Sequence, residues 1–145
     1  GGKNGHFVKN HVAGIPMNIY KGKGKKGKQW QVRMKHIRQF SNLSNCELSF
    51  ADFGGCMAEF VVFKSSKLDY SLMADAFLTV ADFCEVSGIG TDFSGADLTG
   101  ARFENADLRE AIFENANCTG VDFRGANLKG AIFTGTNLDG IRRTY

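Results

Sequence analysis

The sequence predicts a repeat solenoid, and three observations predict it. An apolar residue, in most cases a large one, occupies nineteen of twenty centres that recur every five residues without an insertion, from Leu43 to Leu138. A small or β-branched residue stands two positions before each of these centres. Centres twenty residues apart tend to be of one type. Because neither a helix nor a flat strand has a period of five, the pattern indicates stacked units that bury their apolar faces against one another.

The twenty-residue columns indicate a four-sided cross-section. Phenylalanine concentrates on two opposite columns and leucine on the other two, an alternation that a period of five does not demand. Interlocking layers at close-packed density would demand it. The phenylalanine-rich columns run Leu43/Phe63/Phe83/Phe103/Phe123 and Phe53/Met73/Phe93/Phe113/Phe133.

The repeat also has a motif, alanine followed by aspartate or asparagine and then leucine. It occurs as Ala96-Asp97-Leu98, Ala106-Asp107-Leu108 and Ala126-Asn127-Leu128. Over residues 41–140 the pattern resembles the pentapeptide-repeat family. The resemblance implies an all-β fold: a right-handed, four-sided parallel β-helix of about five coils, one pentapeptide per side, with the central and small residues inward. The frequent Gly or Asn two positions after the centre suits the corner between sides.

One centre departs from the pattern. Gly88, within CEVSGIGTDF, removes a leucine from its column, which costs about 2–5 kcal/mol unless the site collapses. We expect a local bulge that lets Ile89 or a neighbour turn inward. The alternative is a kink or a partner-binding notch in the third coil.

Charge and composition divide the chain into four segments. Residues 1–40 carry ten Lys and Arg and no acid, whereas the remainder has eight basic and fifteen acidic residues, a net charge of −7. We predict a basic flexible arm over 1–28, a capping segment over 29–40, the β-helix over 41–140 and a tail over 141–145. Trp30, Val32 and Met34 alternate as in a strand, while Trp30, Met34 and Ile37 share a helical face, so periodicity leaves both forms open for the cap.

The outward positions of the first two coils are unusually apolar, and an exposed apolar patch usually marks a contact surface. The chain's own N-terminal segment and an external protein are both open as the cover. The predicted partner-binding residues are Phe50, Met57, Phe60, Tyr70, Phe77 and Val80.

The arm contains GKGKKGK, residues 22–28, which matches most of a phosphate-binding loop. Gln29 replaces the hydroxyl that would bind Mg²⁺, so we interpret the run as a solvated segment that attracts polyanions. RNA, DNA, an acidic protein surface and anionic lipid are all open as its partner, and Trp30 could stack on unpaired bases. The residues predicted to bind are Lys21, Lys23, Lys25, Lys26, Lys28 and Trp30.

Catalysis is not expected. The three histidines, His6, His11 and His36, lie outside the repeat, and the four cysteines lack the spacing of metal or redox sites. We therefore predict no enzyme activity, cofactor, metal or small-molecule substrate. No apolar run approaches the roughly 18 residues that would cross a bilayer.

The sequence favours a non-catalytic scaffold that docks onto a larger assembly through its basic arm and first coils. The family resemblance implies an accessory subunit of a photosynthetic or other organellar complex, in the plastid thylakoid or the bacterial cytoplasm. It also implies an alternative, a DNA-mimicking modulator of DNA gyrase, although the charge of −7 is modest and lysines and arginines interrupt the acidic columns. A further alternative is nucleic-acid binding through the arm.

Overall fold

The computed structural model describes residues 18–21, 30–33 and 37–144. Two short strands, β1 (Asn18–Lys21) and β2 (Trp30–Arg33), pair antiparallel as a hairpin. Ile19 lies opposite Val32, and Lys21 lies opposite Trp30. The described residues contain no helix that could cross a membrane.

The hairpin bears on two sequence predictions. β1 lies within residues 1–28, so four residues of the predicted basic arm form a strand that pairs with β2. Of the two forms left open for the segment 29–40, Trp30–Arg33 takes the strand. The rest of the arm, together with residues 29 and 34–36 of the capping segment and Tyr145, lies outside the described residues, so the division into segments stays a prediction.

Residues 37–144 form a four-sided parallel β-helix. The residue before each centre pairs in parallel with the residue 20 positions later, from Asn42 with Val62 to Asp122 with Arg142. One turn is therefore four pentapeptides, as the columns predicted. The first side begins with residues 41–45, the second with 46–50, the third with 51–55 and the fourth with 56–60, and each side continues at intervals of 20.

Backbone hydrogen bonds join successive turns and close each corner. The N–H of Leu43 donates to the carbonyl of Val62 at 2.6 Å, and the N–H of Val62 donates back to Ser41 at 2.9 Å. The same two bonds recur along the rod. At a corner, the N–H of Ala51 donates to the carbonyl of Leu48 at 3.0 Å. Each pentapeptide is thus one short strand and one turn.

The corners share one backbone conformation. Every fifth residue from Phe40 to Gly140 has a positive φ, between 56° and 77°. A positive φ at the third position is the mark of a type II turn, and glycine adopts it without steric cost. Nine of these corners are glycine and twelve are not, so more than half place a side chain where the backbone favours none.

The phenylalanine columns of the first and third sides fill the interior. Phe83 stacks on Phe103 with ring centroids 4.6 Å apart and planes 3° from parallel. Phe93 meets Phe103 edge-on at 5.5 Å and 87°. Such offset and edge-to-face pairs are favourable aromatic geometries. Phe103, Phe113 and Phe123 are all buried, which confirms the inward assignment.

The second-side column closes around Gly88 without a bulge. A Cβ at this position would lie 3.1 Å from Cδ2 of Leu108 and 3.2 Å from Oγ1 of Thr91, so these two side chains occupy the space that a leucine would take. The Thr91 hydroxyl is satisfied, because it donates to the carbonyl of Leu68 at 2.8 Å.

The expectation that Ile89 turns inward is therefore wrong. Ser87 pairs with Lys67 on one side and Asp107 on the other without a break in register. Ile89 keeps its outward position and is half-buried, and its N–H donates to Asp69 at 3.0 Å. The gap is filled by neighbouring side chains because Leu108 leans into it, which needs no change of the backbone.

The two ends of the rod differ in burial. Ile37, in the predicted capping segment, is buried and belongs to the core. Phe133, Leu138 and Ile141, near the other end, are only partly buried against the core.

Candidate interaction surface

Five apolar side chains are exposed together at the start of the fourth side, and we call them the fourth-side patch. Their exposed fractions are 43–69%, whereas Phe53, Val61 and Met73 at inward positions are buried. The patch consists of Phe40, Met57, Phe60, Phe77 and Val80.

The repeat places these residues in two rows along the rod. Met57 and Phe77 pair across successive turns in the position before the centre. Phe40, Phe60 and Val80 occupy the same corner in three successive turns, 20 residues apart. Successive turns of a sheet lie about 4.8 Å apart, so each row is a continuous ladder. The structure thus brings together four of the residues predicted to bind a partner, Met57, Phe60, Phe77 and Val80.

Phe40 belongs to the patch, and the sequence reasoning missed it. Its ring stacks on Phe60, with centroids 4.9 Å apart, and its N–H donates to the carbonyl of Glu59 at 3.0 Å. The pentapeptide pattern is regular only from residue 41 onward. The signal that could have found Phe40 is its position 20 residues before Phe60, one step earlier in the same column.

A polar row separates the two apolar rows. Gln39 and Glu59 share a hydrogen bond of 3.1 Å, and Thr79 follows in the next turn. At the N-terminal end these groups border an open depression of about 390 Å³. Its lining residues are Arg38, Gln39, Phe40, Met57 and Glu59. The fourth side is therefore a shallow channel with apolar walls and a polar floor.

The corner row is held in a strained conformation. Phe60 has a φ of 63° and Val80 a φ of 58°. The left-handed region costs an L-residue about 1–2 kcal/mol, and it is least tolerated by bulky or β-branched side chains. The same row continues as Gly100, Gly120 and Gly140, where the conformation has no steric cost. The first turns thus retain apolar side chains at a cost that the later turns avoid.

Phe50 and Tyr70, the other two rod residues predicted to bind, lie apart from the patch. They occupy the corner between the second and third sides, diagonally opposite the Phe60 corner. Their rings stack at 5.6 Å. The Tyr70 ring lies over Gly90, where a Cβ would meet its Cε1 at 2.5 Å. These two residues are a second, smaller apolar ladder.

Two of the basic-segment residues predicted to bind are described. Lys21 and Trp30 are paired partners in the β1–β2 hairpin. The remaining ones lie outside the described residues: Lys23, Lys25, Lys26 and Lys28.

The family model for pentapeptide repeats matches residues 66–105 and 101–140, in eight copies. This chain is a pentapeptide repeat protein. Members of the family are right-handed quadrilateral β-helices, and two solved cyanobacterial members share that fold with this chain.

Three solved pentapeptide repeat proteins are similar to it. HetL from the cyanobacterium Nostoc sp. strain PCC 7120, involved in heterocyst differentiation regulation, is 26% identical with a TM-score of 0.65, over 75% of this chain and 56% of HetL. Rfr23 from the cyanobacterium Cyanothece 51142 is 22% identical with a TM-score of 0.54, over 77% of this chain and 87% of Rfr23. A pentapeptide repeat protein of the Arabidopsis thaliana thylakoid lumen is 32% identical with a TM-score of 0.48, over 63% of this chain and 69% of that protein.

The comparison with HetL covers only part of that protein. This pentapeptide repeat protein spans little more than half the length of HetL. No curated protein matches it.

Two carboxylates on the first side of the pentapeptide-repeat rod, Glu104 and Asp122, are paired with arginines. Arg124 contacts Asp122 at 2.7 Å and Glu104 at 3.5 Å, and Arg102 contacts Glu104 at 2.8 Å. Arg142 lies 3.9 Å from Asp122. The hydrogen bond from the Arg124 side chain holds the pKa of Asp122 below its usual range. The backbone N–H of Arg124 and the positive charges of Arg124 and Arg142 lower this pKa further. These groups form a structural charge network.

Two buried cysteines of the rod, Cys84 and Cys118, are not activated nucleophiles. Burial raises the pKa of the Cys118 thiol to about 12, and burial together with the neighbouring Asp82 raises that of Cys84 to about 11. Thiols with such pKa values are protonated and inert at neutral pH. Within residues 18–21, 30–33 and 37–144, no group of His, Cys, Asp and Glu could hold a metal ion.

Proposed function

We propose that this protein is a non-catalytic interaction module that docks onto a larger assembly through the fourth-side patch and its basic N-terminal segment. One observation carries the proposal: exposed, bulky apolar side chains stand at strained corners that glycine would fill without strain. Strain that the fold itself does not require is a reason to infer function. A patch of exposed aromatic and aliphatic groups is also what partner-binding surfaces present.

The basic segment adds long-range attraction. Residues 1–40 carry ten Lys and Arg and no acid, and such a concentration of one charge accelerates encounter with an oppositely charged surface. An acidic protein surface is the partner we propose for it. Lys21 and Trp30, which face each other across the hairpin, are the described residues we assign to this contact.

The setting we propose follows from the relatives. HetL and Rfr23 are cyanobacterial proteins, and HetL is involved in a regulatory process. An accessory or regulatory subunit in the bacterial cytoplasm or in the plastid thylakoid is consistent with that background. In this proposal the protein acts by binding a partner and not by catalysing a reaction.

Cross-linking mass spectrometry on native extract tests the docking surface. A chain with Met57→Asp and Phe77→Asp should lose the cross-links that the unmodified chain forms near the fourth side. Ile132→Asp is the matched control, because Ile132 lies before a third-side centre with a similar exposed fraction, 43% against 45% for Phe77. An unchanged cross-link pattern in the double variant would remove the patch from the function.

The two alternatives have no specific observation in their favour. Arginines pair with Glu104 and Asp122 on the first side, so that side does not present the unbroken negative charge that DNA mimicry requires. A gyrase supercoiling assay without inhibition or protection would exclude that alternative. Nucleic-acid binding through the basic segment predicts an affinity that falls steeply with added salt.

A further inference from the structure

We propose that the fourth-side channel binds a segment of a partner protein that combines apolar side chains with lysine or arginine. This inference rests on the proposed function and names the chemistry of its partner. Three observations carry it: the apolar walls, the carboxylate of Glu59 on the polar floor, and the net charge of the fourth side and the first three turns.

The walls set the apolar requirement. Met57 and Phe77 form one wall, and Phe40, Phe60 and Val80 form the other. All five are exposed by 43% or more. A partner that covers both walls gains roughly 25 cal/mol for each Å² of apolar surface removed from water. Two or three aliphatic or aromatic side chains are therefore the anchors of the segment.

The floor sets the charge requirement. Glu59 lies between Met57 and Phe60, is half-buried, and accepts a hydrogen bond from Gln39 at 3.1 Å. A carboxylate that is desolvated by a partner must be paired, because an unpaired buried charge is strongly destabilising. A lysine or arginine of the partner, extending its apolar stem along the wall, meets this need.

The rest of the fourth side extends the same preference. From Cys56 to Gly140, its pentapeptides contain Glu59, Asp97 and Asp139 and no lysine or arginine, while Arg38, one turn earlier, lines the depression at the N-terminal end. The first three turns agree as a whole, because residues 41–100 carry nine acids and two bases, Lys64 and Lys67, a net charge of −7. Electrostatic complementarity of this kind selects cationic segments and rejects anionic ones.

Fluorescence anisotropy with the full chain and three short fluorescein-labelled peptides tests the proposal. The peptides are an amphipathic one of leucine and lysine, a counterpart of leucine and glutamate, and one of serine and lysine. We expect the first to bind more tightly than either of the others. Phe77→Asp should weaken its binding at least about fivefold, while Ile132→Asp should leave it unchanged.

Charge reversal separates the floor from non-specific attraction. Glu59→Lys should weaken the binding of the leucine-lysine peptide and strengthen the binding of the leucine-glutamate peptide. Glu114→Lys makes the same change of net charge at the same pentapeptide position on the third side and should do neither. Equal effects of the two variants would overturn the proposal. If Met57→Asp with Phe77→Asp removes the cross-links while Glu59→Lys changes no peptide affinity, the proposed function stands and this inference fails.

Trp30 reports on the competing occupant. It is the chain's single tryptophan, so its emission follows the basic N-terminal segment directly. We expect its emission maximum to be the same in the unmodified chain and in the double variant of Met57 and Phe77. A shift to longer wavelength in that variant would assign the channel to the chain's own segment and overturn binding of a partner.

Discussion

The ring of Phe40 stacks on the ring of Phe60, with centroids 4.9 Å apart and planes 12° from parallel, although both side chains are exposed. Both residues have a φ of 63°. The left-handed corner directs the two rings away from the core, so their contact lies on the surface. The fourth-side patch is therefore a preformed ladder, and a partner would not have to order it.

Corner strain predicts an inverted ranking of alanine and glycine at Val80. Both Val80→Ala and Val80→Gly remove the exposed side-chain contacts, but only glycine relieves the positive φ of 58°. We expect the glycine variant to be more stable than the alanine variant by about 1 kcal/mol. Denaturant unfolding of the two variants measures the difference.

Val62 supplies the control for that ranking. It lies before a first-side centre in the same turn and is not among the residues with positive φ. There Val62→Gly should be less stable than Val62→Ala by about 0.5–1 kcal/mol, the usual order. The same order at both positions would contradict a strained corner.

The contact between Tyr70 and Gly90 predicts a difference between two corner glycines. Gly90 and Gly120 have φ values of 66° and 69°, so alanine has a similar backbone cost at each. A Cβ at Gly90 would strike the Tyr70 ring, whereas one at Gly120 meets nothing within 4 Å. We expect Gly90→Ala to lower the melting temperature more than Gly120→Ala. Equal losses would show that the Tyr70 ring is free to move aside.

The filled gap at Gly88 predicts that restoring the column leucine is harmful. Gly88→Leu should destabilise the rod by about 1–3 kcal/mol, because the added side chain overpacks a site that Leu108 and Thr91 already fill. A double-mutant cycle with Leu108→Ala measures the coupling. We expect the double variant to lose less unfolding free energy than the two single variants lose together. Strict additivity of the two losses would contradict this packing.

The pairing of Arg124 with Asp122 predicts acid sensitivity. The guanidinium donates to the carboxylate at 2.7 Å and holds the pKa of Asp122 below its usual range. The stability from this pair is complete above the unfolded pKa of about 3.9 and is lost as pH falls through the folded pKa. The free energy of unfolding should therefore fall less steeply below about pH 4 in Arg124→Gln than in the unmodified chain.

Lys129→Gln supplies the control for that slope. It removes one positive charge from the second side, away from Asp122. Its acid-unfolding profile should keep the slope of the unmodified chain. A flattened slope in this variant as well would attribute the effect to net charge rather than to the pair.

The sequence by itself determined the phase of the repeat, the four columns and the inward residues. Leu43, Phe103 and Leu108 are buried because stacking neighbours in this solenoid stand at a fixed separation of 20 residues. A fixed period therefore carries three-dimensional information directly. It also identified Met57, Phe60, Phe77 and Val80 as outward apolar residues.

Only the tertiary structure decided what the side chains do at positions that the period merely places. It showed that Leu108 leans into the space beside Gly88, that Tyr70 covers Gly90, and that Phe40 extends the patch. A period fixes where each Cα lies and which way its side chain starts. Rotamers, the filling of a gap and the strain of a corner depend on atoms from neighbouring turns, which the repeat pattern does not specify.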